Sequence, residues 1–269
     1  MNWENFKRTP DGLRILVDAT AKNYDMEVAS GNIPGDEVGS ITGKNLGINN
    51  TSFETLWDQG GNYVRLTSDT QLYVSSTSAA DVAVDLVVQG LDEDYVEVVR
   101  TVTVGGQAQV PLSGLITSIN RAVVISSTSA VGEIYIAEAD TLTGGVPDTA
   151  SKIKSKICLA PSDSGEFASD GTTHNGFFTV PAGKRFHSII YHGTTPKNDD
   201  VRVQLWIRPQ GGSWLNVFSN WAYQSVVTIE LTIREFQEEK LDMELRVLAG
   251  SVDSEFEANF QYILREIEV

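Results

Sequence analysis

The second half of the chain alternates apolar and polar positions with a period of two. The pattern is strongest in three segments, at residues 201–208, 227–234 and 255–265. In the first of these, the aliphatic positions are Val201, Val203, Leu205 and Ile207. Successive side chains of a strand point to opposite faces, so this alternation predicts strands with one face on a core. Half-buried strands of this kind are typical of antiparallel sheets.

A five-residue sequence, Ser-Ser-Thr-Ser-Ala, occurs twice, at residues 75–79 and 126–130. Each copy lies between two β-patterned runs. Small hydroxyl side chains bond nearby backbone groups in place of a ladder partner, so both copies are predicted to be chain reversals, at the same end of one β-domain. Because a neighbouring subunit would pack on such loops, four serines are candidate interface residues: Ser75, Ser76, Ser126 and Ser127.

The predicted fold class is all-β, because short strands recur at intervals of about 8–12 residues with turn signals between them. We expect two antiparallel β-sandwich or jelly-roll units and an extended N-terminal arm. Two glycines and a proline within residues 142–149 indicate a linker between the units. The expected order is a partly extended arm, a first β-sandwich domain and a second, jelly-roll-like domain, at residues 1–62, 63–147 and 148–269.

The net charge of the 269-residue chain is −16, from 36 acidic and 20 basic residues. A phosphate backbone requires clustered Lys and Arg, so no nucleic-acid partner is expected. The first residues lack the apolar stretch of a secretion signal, and no apolar run approaches the roughly 18 residues of a spanning helix. We therefore expect synthesis in the cytoplasm and no membrane partner. A single cysteine, Cys158, excludes an intrachain disulfide.

No motif predicts catalysis, a cofactor or a metal. The segment Gly39–Lys44 has one residue too few between its glycines for a phosphate loop, and Asn45 stands where that loop has Ser or Thr. His187 and His192 are an odd number of residues apart in a predicted strand, so they face opposite sides and do not chelate one ion. The acidic cluster at 92–94 and the loop with Asp163, Glu166 and Asp170 offer calcium ligands without the spacing of a calcium loop, so turns are expected and calcium is the alternative. We expect a non-enzymatic protein.

Aromatic residues form a second group of candidate interface residues, comprising Trp206, Trp214, Trp221 and Tyr223. Trp206 is predicted on the strand face opposite the aliphatic row. An outward tryptophan anchors a protein interface or stacks on a sugar ring. We expect packing or a subunit contact, and carbohydrate binding is the alternative.

Several segments are distinctive in combination, above all Trp57–Gly61 (Trp-Asp-Gln-Gly-Gly) and Gln89–Asp92 (Gln-Gly-Leu-Asp). The others are Gly31–Gly35, Leu72–Ser76, Val131–Ile136, Phe178–Lys184 and Met243–Val247. Together they resemble a group of small virion structural proteins of tailed bacteriophages, particularly phages of marine bacteria. The resemblance runs over most of the chain from about residue 31 onward.

The resemblance implies a non-enzymatic part of the phage particle, located in the virion. We expect a capsid decoration or cement protein that acts through contacts between subunits. Its expected partners are other copies of itself, as a trimer, and the major capsid protein or neighbouring virion proteins. One alternative is a structural protein of the tail, the head–tail adaptor or a fibre. A second alternative, from a different class, is a carbohydrate-binding module.

Overall fold

The computed structural model describes residues 6–8, 14–16, 24–126, 130–158, 171–195, 200–223, 227–230, 238–251 and 254–267. Strands predominate in this part of the chain, and its α-helix, α1, is Tyr24–Ala29. No helix among these residues is long and apolar enough to cross a membrane. The prediction of an all-β fold is confirmed.

Twenty strands lie within the described ranges. In chain order they are β1 (Phe6–Arg8), β2 (Arg14–Leu16), β3 (Asp36–Ile48), β4 (Glu54–Thr55), β5 (Leu72–Ser76), β6 (Asp85–Leu91), β7 (Glu97–Thr103), β8 (Val110–Pro111), β9 (Ser118–Val124), β10 (Ile134–Glu138), β11 (Leu142–Thr143), β12 (Val146–Pro147), β13 (Ile153–Ile157), β14 (Phe177–Thr179), β15 (Lys184–Thr194), β16 (Asp200–Arg208), β17 (Leu215–Tyr223), β18 (Val227–Glu230), β19 (Asp242–Ala249) and β20 (Ser254–Glu266).

These strands pair antiparallel into small sheets. Two sheets come mainly from the first half of the chain, in the orders β13-β10-β5-β8 and β7-β6-β9. A third has the order β18-β15-β20-β3. In the fourth, of five strands, β17, β16 and β19 lie side by side, and both β14 and β4 pair with β19. Short ribbons are formed by β1 with β2 and by β11 with β12.

One hydrophobic cluster is shared by the two sheets of the first half. It includes Leu72, Val74, Leu86, Val88, Ile119, Ala122, Ile134, Ile136 and Ile157. Full burial of an aliphatic side chain of this size contributes about 1.5–3 kcal/mol, so this cluster is a substantial source of stability. On β6 and the residue before it, Val84, Leu86 and Val88 are buried as their alternation predicts. Val82 is 62% exposed because it precedes the strand and lies in a turn.

A second hydrophobic cluster is shared by the two sheets that β15, β16, β19 and β20 dominate. It includes Phe186, Tyr191, Phe256, Phe260, Val201, Val203, Leu205, Ile207, Met243, Leu245 and Val247. The aliphatic row of β16 is therefore buried, as the sequence predicts. The opposite side of β16 and β19 faces away from this cluster, and we call it the outer face of the five-stranded sheet.

A third, aromatic cluster joins the two halves of the chain. Trp57, Tyr63 and Phe177 pack with Tyr135 and Ile153 of the first-half strands. The rings of Tyr63 and Phe177 stack with centroids 3.7 Å apart. The segment between Trp57 and Tyr63 turns tightly through two glycines in the left-handed region, at 60 and 61, with φ of 71° and 69°. This turn directs the following residues over the five-stranded sheet.

The observed strand pairing crosses the expected domain boundaries at two places. The thirteen residues of β3 lie in the segment expected to be an N-terminal arm, yet they pair with β20. Its glycines resemble loop signals, but a Cβ at Gly39 would stand 2.4 Å from the Tyr262 ring, and one at Gly43 only 2.8 Å from Leu56. Close packing explains these glycines, so β3 is a sheet strand and not an extended arm. Similarly, β13 lies beyond the boundary expected at 147/148 but pairs with β10.

Candidate functional site

The predicted aromatic residues lie on or beside the outer face of the five-stranded sheet. On β16, Trp206 and Arg208 point outward because their neighbours Leu205 and Ile207 point into the core. On the adjacent strand β19, Glu244 lies directly opposite Trp206 and so shares its face. The antiparallel register therefore brings cationic, anionic and aromatic side chains together.

Two tryptophans and three arginines are interleaved on this face. The Arg246 guanidinium lies 4.8 Å from the ring centroid of Trp206 and 5.1 Å from that of Trp214. Arg208 lies 4.9 Å and Arg65 5.5 Å from the Trp214 ring. These distances are within the range of cation–π attraction, worth about 0.5–1 kcal/mol at exposed sites. We call Trp206, Arg246, Trp214 and Arg208 the arginine–tryptophan ladder.

Two carboxylates neutralise most of the charge in the ladder. Asp242 accepts Arg65 Nη1 at 2.9 Å on one oxygen and Arg208 Nη2 at 2.5 Å on the other. Glu244 accepts Arg246 Nε at 2.9 Å. The Asp242 and Glu244 side chains are 16% and 5% exposed, so these ion pairs are poorly screened by water. The ladder is a compensated network with little capacity to attract a charged ligand.

Arg65 connects the ladder to the aromatic cluster between the two halves of the chain. Its guanidinium lies 5.6 Å from the Tyr63 ring and 5.8 Å from the Phe177 ring, and Nη2 donates to the Met243 carbonyl at 2.7 Å. Burial raises the pKa of Tyr63 far above its usual range, although the Arg65 charge opposes the shift. Tyr63 is therefore neutral at physiological pH. The arrangement fastens the chain before β5 onto the outer face.

Trp221 and Tyr223 lie apart from the ladder, at the other end of the sheet. Their rings stack with centroids 6.0 Å apart, and their side chains are 37% and 61% exposed. The Arg202 guanidinium lies 5.9 Å from the Trp221 ring and 5.6 Å from the Phe53 ring, and its Nε donates to Ser219 Oγ. Among the described residues, no carboxylate is within ion-pair distance of Arg202. We call β17 together with Arg202 the open edge.

The open edge is rich in exposed apolar surface. Leu215 and Val217 on β17 are 53% and 45% exposed, in addition to Trp221 and Tyr223. Trp, Tyr and Arg are the residue types that dominate protein interfaces energetically, and here they lie side by side. The predicted aromatic group is thus divided: Trp206 and Trp214 belong to the ladder, and only the other two residues lie on the open edge.

The arginines and carboxylates of the outer face were not predicted from the sequence as site residues. A signal was present on β16, where Arg202 and Arg208 alternate with the aliphatic row. Their partners lie on β19 and on the segment that contains Arg65, far away in the chain. Recognising the ladder requires the β16–β19 register, which sequence spacing does not provide.

The serines of the first repeat lie inside the protein. Ser75 Oγ donates to the Gly145 carbonyl at 2.8 Å, and Ser76 Oγ donates to Asp81 at 2.6 Å. Their exposures are 2% and 0%, so they offer no contact surface. They are buried because Ser75 and Ser76 end strand β5 instead of standing in the turn beyond it. In the second repeat Ser126 is half-buried, and Ser127 lies outside the described residues.

The segments that follow the two repeats nevertheless meet, at Asp81. Its buried carboxylate accepts the Ser76 hydroxyl and the backbone N–H groups of Val131 and Gly132, at 2.9 and 3.0 Å. Thr77 Oγ1 accepts the backbone N–H of Glu133. The first copy therefore holds the chain that directly follows the second copy. This is a structural role within the chain.

Cys158 and His174 both contact Asp58, through its backbone carbonyl and its buried carboxylate respectively. His174 Nδ1 is 3.1 Å from Asp58 Oδ2, and Cys158 Sγ is 3.6 Å from the Asp58 carbonyl oxygen. Burial, assisted by the negative charge of Asp58, raises the pKa of the Cys158 thiol to about 12. A thiol of that pKa is protonated at neutral pH and is not an activated nucleophile. Within the described ranges, no group of three or more His, Cys, Asp or Glu residues could hold a metal ion.

A cavity of about 370 Å³ lies between β3 and the three-stranded sheet. Its lining is mixed, with Glu97, Arg121 and Asn120 as polar groups and Phe178 and Tyr262 as aromatic ones. Partial desolvation raises the pKa of Glu97, a surface residue; the nearby Glu37 carboxylate raises it further, and Lys184 opposes both. The cavity lies between the two halves of the chain at this level.

Comparison with known proteins finds no matching family model and no matching curated protein. Among solved structures, the chain is similar to the infectious bursal disease virus VP2 subviral particle at a TM-score of 0.24, with 11% identity over 87% of this chain and 72% of that chain. It is also similar to a protein from Parabacteroides distasonis at a TM-score of 0.20, with 10% identity over 92% of this chain and 96% of that chain. Likenesses at these TM-scores carry no argument about fold or function.

Proposed function

We propose that this protein is a non-enzymatic structural component of a bacteriophage particle, a capsid decoration or cement protein that acts through subunit contacts. The sequence resemblance to phage virion proteins, which begins near residue 31, is the source of the virion assignment. In this proposal the partners are further copies of the chain and neighbouring capsid proteins. The site of action is the virion surface.

The observation that carries the proposal is the open edge. Nine consecutive residues of β17 form one side of a sheet and expose Leu215, Val217, Trp221 and Tyr223. Exposed apolar and aromatic side chains on a rigid strand suit a surface that another protein covers. A decoration protein requires such a surface on a framework that does not deform when it binds.

The proposal includes a finer description of the fold, as two β-sandwich units. The first would pair the sheets β13-β10-β5-β8 and β7-β6-β9 over the first hydrophobic cluster. The second would pair the other two large sheets in a jelly-roll-like arrangement over the second cluster. Each cluster draws side chains from both of its sheets, which supports this division.

Quantitative mass spectrometry of purified phage particles tests the virion assignment. A decoration protein occurs in hundreds of copies per particle, because it follows the repeats of the shell. A copy number in the range of a single ring would favour a tail or head–tail adaptor protein instead. Absence of the chain from purified particles would disprove the structural role.

A second candidate function is carbohydrate binding, favoured by one observation. The stacked rings of Trp221 and Tyr223 are exposed next to Arg202, and such rings can form a platform for a sugar. Trp206 and Trp214, the other tryptophans considered for this role, are half-buried in the ladder. A host-polysaccharide titration monitored by tryptophan fluorescence tests this function, with Tyr223→Ala as the variant that should abolish the response while Trp221 remains as the reporter. No response in the wild-type protein would exclude it for the glycans tested.

A further inference from the structure

Among the described edge strands longer than three residues, β17 is the one with no charged residue. Natural sheets protect their edges from unwanted pairing with charges, prolines or very short strands. In the described part of the chain, every other edge strand longer than three residues carries a charge: β3 has Asp36, Glu37 and Lys44, β7 has Glu97 and Arg100, β9 has Arg121, β13 has Lys154 and Lys156, and β18 has Glu230. The sequence of β17, Leu-Asn-Val-Phe-Ser-Asn-Trp-Ala-Tyr, contains none.

The side of β17 away from β16 is long enough to receive another strand. Among the described residues β17 pairs only with β16, so the backbone groups on its other side form no ladder there. The register with β16 shifts at Val217, which leaves residues 218–223 as the regular part of the edge. An unprotected edge with exposed apolar side chains is the usual template for strand addition.

From these observations we infer that β17 pairs antiparallel with β17 of a second copy of this chain, so that the two five-stranded sheets become continuous. This inference rests on the proposed function in one respect: it names the surface and the partner through which a self-assembling virion protein would act. Antiparallel pairing of identical strands creates a two-fold axis near the middle of β17. One of the residues between Ser219 and Trp221 then lies opposite itself.

The charge of the chain favours a second copy at this position and disfavours other surfaces for self-association. Two molecules of net charge −16 repel each other, so they approach best where neither presents a carboxylate. Two β17 strands meet in any register without opposing like charges. With the axis at Ser219, for example, Trp221 would lie opposite Val217 of the partner copy and Tyr223 opposite Leu215, and such apolar cross-strand pairs stabilise antiparallel sheets.

A two-fold strand pair closes on itself and gives a dimer. The trimer expected from shell symmetry would require a heterologous surface elsewhere. The two assemblies therefore differ in measured mass and in their dependence on β17. This difference makes the inference testable on the isolated protein, without phage particles.

Light scattering after size-exclusion chromatography gives the first test. The wild-type chain should have twice the chain mass of 29.3 kDa. Val217→Lys should convert it to the mass of a single chain, because a lysine on an edge strand opposes pairing. Val99→Lys is the matched control, since Val99 is 61% exposed on the charged edge strand β7, and this variant should remain a dimer. Circular dichroism checks that both variants keep their strands.

Cysteine cross-linking gives the second test and does not depend on a disruptive substitution. Ser219→Cys, Asn220→Cys and Trp221→Cys are oxidised separately, and the residue on the axis should form a disulfide-linked dimer because its Cα atoms fall within bonding range. Cys158 is buried and should not cross-link, and Val99→Cys is the control at another edge. A wild-type chain of 29.3 kDa, or a larger assembly that none of the three cysteines cross-links, would overturn the inference. The virion copy number is measured independently, so the proposed function can survive either result.

Discussion

The two ends of one sheet face use the same residue types in opposite ways. In the ladder, Trp214 lies among three guanidinium groups, and buried carboxylates neutralise these cations. At the open edge, Trp221 and Tyr223 stack at the surface with exposures of 37% and 61%, beside Arg202, which has no described carboxylate within ion-pair distance. An aromatic–arginine cluster therefore has no single meaning. Whether such a cluster belongs to the packed interior or remains available to a partner depends on two features. These are how much of it other residues cover, and whether carboxylates neutralise its arginines.

This difference indicates where stability and recognition reside. Substitutions in the ladder remove contacts within the folded chain, so they should lower the free energy of unfolding. Substitutions at the open edge remove little from the isolated chain, so they should act mainly on association.

Asp242→Asn should be the most destabilising of these changes. Asp242 is the shared counter-charge of Arg65 and Arg208, and the Arg65 side chain is only 11% exposed. Asparagine keeps the shape but leaves two adjacent cations without their anion. Removal of one partner from a buried ion pair costs about 3–5 kcal/mol, and we expect about 3 kcal/mol here because Arg208 is partly solvated. Urea unfolding followed by circular dichroism measures the loss.

The control for Asp242→Asn is Asp94→Asn, at an exposed turn. It should change the free energy of unfolding by less than about 0.5 kcal/mol, as is usual for surface substitutions. If Asp242→Asn were equally mild, the ladder would not be a compensated network. The conclusion that the ladder stabilises the folded chain would then be wrong.

Trp214→Ala and Trp221→Ala should separate the two ends of the face. Trp214 loses its packing and three cation–π contacts, so we expect a cost of about 2 kcal/mol, below the range for a fully buried tryptophan. Trp221 is 37% exposed and contacts fewer cations, so its loss should cost below about 1 kcal/mol in the isolated chain. Thermal and urea unfolding of both variants, measured at low concentration, provide the comparison. Equal losses would contradict the division of the aromatic group.

The sequence predicted the local pattern of the sheets well. The aliphatic row of β16 is buried and Trp206 points outward, because the period of two directly reports which face meets the core. Residues 36–48 were expected in an arm because their glycines imitate loop chemistry. They instead form strand β3, which pairs with β20. Gly39 and Gly43 are glycines because Tyr262 and Leu56 occupy the space that a Cβ atom would need. These contacts come from residues elsewhere in the chain, so the sequence around the glycines does not reveal them.

The candidate site was predicted only in part, for a related reason. The aromatic residues were visible in the sequence, whereas the covering that distinguishes Trp214 from Trp221 depends on Arg65 and on the β16–β19 register. Ser75 and Ser76 were expected on the surface because hydroxyl-rich runs favour turns. Their hydroxyl groups instead bond Gly145 and Asp81, which are brought close by the fold.

Substitution of a single arginine should also lower stability more in the ladder than at the open edge, but by less than the changes described above. Arg246→Gln removes an ion pair with the buried Glu244 and two cation–π contacts, so we expect a loss of about 1.5 kcal/mol. Arg202→Gln removes ring contacts and one hydrogen bond at the open edge, so we expect about 0.5 kcal/mol or less. Urea unfolding at low and high salt measures both. A larger effect for Arg202 would show that the open edge also stabilises the chain.

The smallest expected effect concerns a charged edge strand, in contrast to the uncharged β17. The pKa of Glu97 on β7 is raised above its ordinary value of 4.5 by partial desolvation and by Glu37. Because the folded state holds this proton more tightly than the unfolded state, the ionised carboxylate lowers stability once the pH rises above 4.5 and through the folded-state pKa. Glu97→Gln should therefore be as stable as wild type at acidic pH and slightly more stable at pH 7, whereas Glu93→Gln should not differ at either pH. Unfolding curves across this pH range measure the difference. If Glu97→Gln were instead less stable than wild type at pH 7, the ionised Glu97 carboxylate would make favourable contacts in the folded state. The charge on edge strand β7 would then not lower the stability of the protein.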